Sequence, residues 1–227
     1  MSARAFDLVD SIPAGTVPCR RCGGIAAEDS EGRLILGEFH GAVCEDCRPA
    51  LEEEIRLSQL ERAGVPVLYR AKVSRGPWRR MPEGSPWVLI QGPVGCGKTH
   101  AAVEMIVGRP DARFVSWPEV TDLRRRHLEA PRTVDDPLSR LKDYRGVLVL
   151  DDLGAEFVTA SSKEAANLVI SARYNSLSRT IITSNLGLNE LATVYGERVA
   201  SRISEVARRV ELASKTDRRR QRREGGK

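Results

Sequence analysis

The sequence lacks the features of a membrane or secreted protein. No run approaches the roughly 18 consecutive apolar residues that a membrane-spanning helix needs. The first ten residues, MSARAFDLVD, do not show the basic and then apolar pattern of a signal peptide. No internal repeat is visible, and 41% of the residues are hydrophobic, which is ordinary for a globular protein. These features predict a cytoplasmic protein without membrane contacts.

The net charge of +5 is distributed unevenly along the chain. Residues 208–227 contain nine basic and three acidic side chains, so this segment carries +6 and the rest of the chain is about neutral. A basic tail can neutralise phosphates and give an affinity for nucleic acid that depends on salt. It can also be a solvated, disordered end, and both interpretations stay open for residues 214–227.

Four of the five cysteines form two C-x-x-C pairs that are separated by 21 residues. In a cytosolic chain such pairs favour a metal site over disulfides. The spacing is close to that of a four-cysteine zinc ribbon, in which thiolates surround Zn²⁺ and stabilise a segment with little core of its own. His40 lies between the pairs and is not needed for a closed site. The predicted Zn²⁺ ligands are Cys19, Cys22, Cys44 and Cys47.

The composition divides the chain into segments. Residues 1–60 hold the four paired cysteines and an amphipathic helix that begins near residue 51. Residues 61–86, punctuated by Pro and Gly, are predicted as a linker. From residue 87 to 213, short apolar runs alternate with helical segments, which is typical of an α/β domain with a parallel sheet. The predicted strands are 87–91, 112–116, 147–150, 180–184 and 210–212, and the predicted helices are 98–107, 119–128, 162–173 and 197–207.

Residues 92–99 fit the pattern G-x-x-x-x-G-K-[ST] between an apolar strand, WVLIQ, and an Ala-rich helix. Glycines let backbone N–H groups turn inward around phosphates, and the positive end of the following helix adds to the attraction. Lys98 is placed for the β- and γ-phosphate oxygens, and the Thr99 hydroxyl for Mg²⁺. The pattern predicts that ATP or ADP binds to Gly92, Pro93, Val94, Gly95, Cys96, Gly97, Lys98 and Thr99, with Cys96 as a small spacer.

Polar side chains end two later strands. Asp151 and Asp152 follow GVLVL, and because a buried strand cannot easily bury a carboxylate, these acids should face a site. Asp151 is predicted to hold Mg²⁺, and Asp152 to polarise the attacking water. Asn185 ends RTIITSN and can orient that water near the γ-phosphate.

Two groups of arginines lie on predicted helices. Arg198 and Arg202 stand four residues apart beside an apolar stripe, so both project from one face and can grip phosphate. Their distance along the chain from the phosphate loop suggests presentation to a neighbouring subunit, although a solvated face is the alternative. The run at residues 124–126 could likewise face single-stranded DNA or be a solvated face.

The order of the phosphate loop, LVLDDLG, ITSN and YGERVASRI resembles the DnaC/DnaI-like helicase loaders, a branch of the AAA+ ATPases that includes the IstB-type transposition ATPases. The resemblance runs from about residue 60 to the C-terminus. It implies an AAA+ fold with a five-stranded parallel sheet flanked by helices and a reduced or absent lid. It implies Walker A at residues 92–99, Walker B at Asp151 with Asp152, sensor 1 at Asn185, and an arginine finger at Arg202 with Arg198 beside it.

Two further arginine positions follow from the resemblance. Sensor 2 would be one of Arg218, Arg219 and Arg220. Arg173 matches an arginine of this branch whose role the sequence does not define.

The resemblance also implies a function. Loaders of this group commonly carry a small N-terminal domain that grips the replicative helicase and, in some, binds zinc. The expectation is therefore a self-associating ATPase that loads a hexameric helicase onto single-stranded DNA, with slow turnover in isolation. An IstB-type ATPase acting on duplex DNA and a nucleotide-binding adaptor without turnover stay open as alternatives. The intact Lys98, Thr99, Asp151 and Asp152 argue against the adaptor.

Overall fold

The computed structural model describes residues 19–24, 36–37, 41–71, 84–129 and 136–213. The chain forms two compact units, Met1–Ser58 and Gln59–Lys227. No helix among the described residues is long and apolar enough to cross a membrane. The predictions for His40, for the tail at residues 214–227 with its three sensor 2 candidates, and for a lid after the last strand concern residues outside the described ranges.

The first unit contains a short antiparallel pair of strands, β1 (Leu36–Gly37) and β2 (Gly41–Ala42), and then the start of helix α1 (Arg48–Arg62). The helix begins three residues earlier than the apolar spacing predicted. The reason is that the turn at the second cysteine pair continues directly into it, with Arg48 N donating to Cys44 O at 3.0 Å and Leu51 N to Cys47 O at 3.1 Å.

The second unit is built on a five-stranded, fully parallel sheet. Its strand order is β4-β5-β6-β3-β7, and β3, β5 and β6 are buried along their whole length, as expected of a parallel sheet covered on both faces. The α/β class and the five parallel strands are thus confirmed. The strands are β3 (Trp87–Gln91), β4 (Ala112–Ser116), β5 (Val147–Asp151), β6 (Thr180–Ser184) and β7 (Ala207–Glu211). β7 begins three residues before the predicted fifth strand, since the preceding helix ends at Val206.

Seven helices of the described chain follow α1. They are α2 (Val67–Arg70), α3 (Lys98–Ile106), α4 (Trp117–Glu129), α5 (Pro137–Lys142), α6 (Ala160–Asn175), α7 (Leu188–Tyr195) and α8 (Glu197–Val206). The sequence did not predict α2, α5 or α7, all of eight residues or fewer. In α5 the Asp136 side chain caps the helix by accepting from Leu138 N, and only Leu138 and Leu141 are buried, too few to establish a period.

Alternate residues of the central strands face two hydrophobic cores. Trp87 and Leu89 of β3 belong to the core that α4–α8 cover, whereas Val88 and Ile90 belong to the core beneath α3. The α3 core also contains Val65, which lies inside the segment predicted as a linker, and Ala63 O accepts a 2.6 Å hydrogen bond from Phe114 N on the edge strand β4. The packed part of the second unit therefore begins well before residue 87.

Arg173 is fully buried at the end of the sheet where the strands begin. Its guanidinium donates to Tyr144 O at 2.7 Å, Gly146 O at 3.1 Å, Arg179 O at 2.6 Å and Thr180 Oγ1 at 2.8 Å. Burial lowers its pKa to about 10, which still leaves the group charged at neutral pH. Arg173 therefore joins the starts of β5 and β6, at the opposite end of these strands from their carboxyl-terminal polar residues.

Candidate nucleotide site and cysteine cluster

The phosphate loop connects β3 to α3 in a conformation that its glycines permit. Gly92 and Gly97 have φ angles of +152° and +104°, which side-chain-bearing residues rarely adopt. A Cβ on Gly92 would also lie 2.3 Å from Leu212 O, so the approach of β7 to the loop excludes a side chain there. Gly97 precedes Lys98, the first residue of α3, so the positive end of this helix opens onto the loop.

Lys98 is buried and lies across the mouth of this loop. Its Nζ donates to Gly92 O at 2.9 Å, to Pro93 O at 3.0 Å and to Asn185 Oδ1 at 2.5 Å. Asn185 follows β6, the neighbour of β3, and its side chain is largely exposed. The fold therefore brings the predicted phosphate-binding lysine and the predicted water-orienting amide into direct contact.

Thr99 and Asp151, the predicted Mg²⁺ ligands, are also adjacent. The Thr99 hydroxyl donates to Asp151 Oδ2 at 3.2 Å, and both residues are buried. Adjacent oxygen ligands of an octahedral Mg²⁺ lie about 2.9 Å apart when each metal–oxygen bond is about 2.1 Å. The pair of oxygens therefore fits two neighbouring positions in the coordination shell of this ion.

Burial raises the pKa of Asp151 to about 6. The charge of Asp152 adds to the rise, whereas hydrogen bonds from Thr183 and Thr99 and the charge of Lys98 oppose it. A carboxylate that is costly to keep ionised without a cation gains most when a divalent cation binds beside it.

Thr183 is the residue of this site that sequence reasoning missed. Its hydroxyl donates to Asp151 Oδ1 at 2.7 Å and accepts from Asp152 N at 2.8 Å, so one side chain fixes both carboxylate residues. Asp152 has a φ of +59° and begins a turn that Ala155 N closes by donating to Asp152 O at 3.1 Å. The only signal in the sequence is a hydroxyl two residues before Asn185, and its partners are visible only once β5 and β6 are paired.

The structure places the two predicted finger arginines away from this cluster. Arg198 is exposed at the start of α8, and Arg202 donates to Ser171 Oγ and lies 5.4 Å from the centre of the Tyr174 ring, both on α6. Within the described residues no hydrogen bond joins either arginine to the phosphate loop.

The arginine run on α4 is paired with acids of the same chain. Arg124 contacts Asp136, Arg125 contacts Asp122 and Glu129, and Arg126 contacts Asp122 at 2.7 Å. These ion pairs support the solvated-face interpretation of the run over contact with DNA.

The four paired cysteines converge in the first unit. Their sulfur atoms all lie within 4.8 Å of one another, and those of Cys22 and Cys44 are 3.6 Å apart. Four thiolates around a tetrahedral zinc ion, each about 2.3 Å from it, lie about 3.8 Å apart. The neighbouring thiols of Cys44 and Cys22 raise the pKa of Cys47 to about 12, so the four groups ionise together only around a cation. The cluster therefore fits Zn²⁺.

The parallel sheet, the glycine loop opening onto a helix, and the Asp pair on a strand two places away define a P-loop nucleotide-binding protein of the AAA+ class. The family model of the IstB-like ATP binding proteins matches residues 83–225. The chain belongs to this family, and the resemblance found in the sequence is confirmed at that level.

Comparison with solved structures found similar chains among replication proteins. A DnaC helicase loader is 28% identical over 68% of this chain and 90% of its own, with a TM-score of 0.49. A DnaI structure is 22% identical over 75% of this chain and 82% of its own, with a TM-score of 0.46. DnaA from Aquifex aeolicus with AMPPCP is 21% identical over 79% of this chain and 50% of its own, with a TM-score of 0.47. The comparison with curated proteins found no match.

Proposed function

We propose that the protein hydrolyses ATP at sites shared between subunits and uses this cycle to load a replicative DNA helicase onto single-stranded DNA. The observation that carries the proposal is the contact of Lys98 with Asn185 on one side of the phosphate loop and of Thr99 with Asp151 on the other. A site that only stored nucleotide as a structural ligand would have no need of a second carboxylate and a polar amide beside the γ-phosphate position.

Each side chain has a definite task in this reaction. Loop N–H groups and Lys98 bind the phosphates, and Thr99 and Asp151 hold Mg²⁺, which neutralises charge on the β- and γ-phosphates. Asp152 polarises the attacking water and Asn185 orients it, because both end neighbouring strands at the loop's edge of the sheet.

In our proposal, a neighbouring subunit supplies a cation opposite the γ-phosphate. Arg202 serves as the finger and Arg198, exposed one turn earlier, assists it. Val199 and Ile203 are buried, so α8 is fixed by its apolar side while its arginines face outward or along α6.

Two surfaces of the second unit support contact with DNA and nucleotide. Phe157, in the loop between β5 and α6, is 90% exposed, and an aromatic ring of this kind can stack on an unpaired base. The residue after β7 lies beside the start of the phosphate loop, where Leu212 N donates to Gln91 O at 2.8 Å. Arg218 follows six residues later, about 20 Å at full extension, so it and the two arginines after it are within reach of a bound nucleotide as sensor 2 candidates.

The domain roles follow from this division of labour. We assign helicase binding to residues 1–60, which hold the cysteine cluster, and ATP hydrolysis to residues 87–213 together with Ala63 and Val65 of the predicted linker, which pack in the same core. The tail at residues 214–227 adds salt-dependent affinity for DNA.

A complementation assay tests the shared site. Asp152→Asn removes the catalytic carboxylate and keeps the finger, whereas Arg202→Ala removes the finger and keeps the carboxylate. Each variant alone is expected to lose turnover, and their mixture is expected to regain it with single-stranded DNA present. No gain on mixing, or wild-type turnover of Arg202→Ala alone, contradicts the proposal.

A capture assay tests the partner. The tagged full-length protein is expected to retain a hexameric replicative helicase, and Cys22→Ser is expected to release it. Cys96→Ser is the matched control, because this cysteine lies in the phosphate loop and not in the cluster. Equal helicase retention by the Cys22→Ser protein would separate the cysteine cluster from partner binding.

The family match also favours a second candidate, an IstB-type ATPase that acts on duplex DNA beside a transposase. The DNA that stimulates turnover distinguishes the two. Stimulation by single strands but not by duplex favours the loader, and the reverse result, with capture of a transposase, favours the IstB-type function.

A further inference from the structure

Glu156 joins three parts of the second unit through one carboxylate. It lies in the loop between β5 and α6, four residues after Asp152. Its Oε1 accepts from Trp117 Nε1 at 3.0 Å and from the Tyr195 hydroxyl, and its Oε2 accepts from Gly154 N at 3.1 Å. Hydrogen bonds to an ionised carboxylate are about twice as strong as those between neutral groups, so this junction is firm.

The three donors lie on three separate elements of the second unit. Trp117 begins α4 and is fully buried, and Gly154 belongs to the turn that Asp152 begins. Tyr195 is the last residue of α7 and is 6% exposed, and only Gly196, with a φ of +97°, separates it from α8. One carboxylate therefore connects the turn of Asp152 to the end of α7, one residue away from the helix that carries the two finger arginines.

The tyrosine is held as a donor in this junction. Burial, together with the hydrogen bond and charge of Glu156, raises the pKa of Tyr195 far above its ordinary value, so the hydroxyl keeps its proton. The Tyr195 hydroxyl therefore donates to Glu156 throughout the physiological pH range.

We propose that Glu156 is a positioning residue that couples the Asp152 turn to α8 of the same chain. This inference rests on the proposed function, because its consequence is that the nucleotide state at a subunit's own carboxylates sets how that subunit presents Arg202 to its neighbour. A shift of the Asp152 turn reaches Gly154 N, then the Glu156 carboxylate, then Tyr195. The glycine hinge at Gly196 allows α8 to turn about its buried stripe.

Two substitutions break the link at opposite ends. In Glu156→Gln the amide oxygen still accepts from Trp117 and Tyr195, but the amide NH₂ then faces the N–H of Gly154, and two donors cannot bond. Tyr195→Phe keeps the ring and removes the hydroxyl that donates to Glu156. Glu164→Gln, on the exposed face of α6, is the matched control.

The complementation assay measures the effect on the neighbour. Asp152→Asn subunits act only as finger donors for Arg202→Ala subunits, so a second substitution in the donor reports on α8 alone. Adding Glu156→Gln or Tyr195→Phe to the donor is expected to lower the recovered kcat about tenfold or more, since small misplacements of a catalytic group have effects of this size. The dissociation constant of the donor for ATP is expected to stay close to that of Asp152→Asn, as with Glu164→Gln, and the donor is expected to remain folded at the assay temperature even though the lost hydrogen bond lowers its melting temperature.

Hydrogen exchange gives a readout that does not depend on hydrolysis or assembly. ATP is expected to change the exchange of α8 amides in Asp152→Asn, and this change is expected to disappear in Asp152→Asn/Glu156→Gln while both proteins still bind ATP. An ATP-dependent change in α8 that survives Glu156→Gln overturns the coupling, as does an unchanged rate with the doubly substituted donor. A failed complementation between the parent variants, with the α8 exchange result intact, refutes the shared site and not the coupling.

Discussion

The charge of Asp151 is expected to cost the protein stability when no magnesium is bound, and Asp151→Asn measures that cost. The carboxyl is 7% exposed, and its pKa rises from the ordinary 3.8 to about 6 on folding. Because the folded state holds this proton more tightly than the unfolded state, ionisation favours unfolding, and the penalty grows as the pH rises from about 4 to above 6. A difference of about two on the pKa scale corresponds to a penalty of about 3 kcal/mol, fully present at pH 8.

The amide can replace the carboxylate without losing its hydrogen bonds. The Thr183 oxygen accepts from Asp152 N while its O–H donates to Asp151 Oδ1, and the oxygen of the new Asn can receive this same donation. The NH₂ group then faces Thr99, whose hydroxyl can rotate and act as an acceptor. Asp151→Asn is therefore expected to raise the free energy of unfolding at pH 8 by up to about 3 kcal/mol, and to lose magnesium-dependent ATP turnover.

Urea denaturation in magnesium-free buffer measures the gain. Trp87 and Trp117 are fully buried in the second unit, so their fluorescence follows the unfolding of the part that holds Asp151. The gain is expected to shrink to less than about 1 kcal/mol near pH 4, where the wild-type carboxyl is protonated in the folded protein. Asp143→Asn, at an exposed position, is the control and is expected to change stability by less than about 0.5 kcal/mol at either pH. A gain that is absent at pH 8, or equal at both pH values, refutes this reasoning.

Three further outcomes are expected. Metal analysis should give one zinc ion per chain, lost in Cys22→Ser and kept in Cys96→Ser; equal zinc in both would refute the cluster as the binding site. Arg173→Lys should lower the free energy of unfolding by about 2–4 kcal/mol in urea, because three donors replace five, whereas Arg179→Lys, whose side chain is exposed, should be neutral. Leu177→Gly should raise the free energy of unfolding by about 0.5 kcal/mol or more, and with it the melting temperature, because Leu177 holds a φ of +48° after α6; a lower melting temperature would contradict this.

Local pattern was enough to predict the frame of the second unit. Strands such as WVLIQ and VLVLD are apolar at every position because both faces of the sheet are covered, and this property shows in the sequence without knowledge of partners. The predicted position of β7 was wrong by three residues because its sequence, ARRVE, has three charged residues among five, as an edge strand with one neighbour permits. The two short helices α5 and α7 carry too few buried residues to define a period.

In the candidate site, too, some residues could be predicted from the sequence and others could not. The phosphate loop and the Asp pair follow from residue types at fixed spacing, since a loop that wraps phosphates needs its glycines and lysine within a few residues. Thr183 could not be identified, because a threonine inside an apolar strand has no distinctive spacing and its two partners lie 31 and 32 residues away. Its role depends on β6 lying beside β5, which is a property of strand order.

Glu156 and Arg173 show why polar groups with distant partners are the hardest to assign from sequence. Glu156 lies in a segment without a predicted element and Arg173 at the end of a predicted helix. Glu156 accepts hydrogen bonds from residues 39 positions away, and Arg173 donates to a carbonyl 27 positions away. Their positions in the sheet differ. Arg173 joins strands where they begin and is expected to affect stability, whereas Glu156 lies beside the turn of Asp152 and is proposed to affect the nucleotide site. A charged side chain that joins several elements therefore identifies a junction, and the end of the sheet at which it lies indicates whether folding or function depends on it.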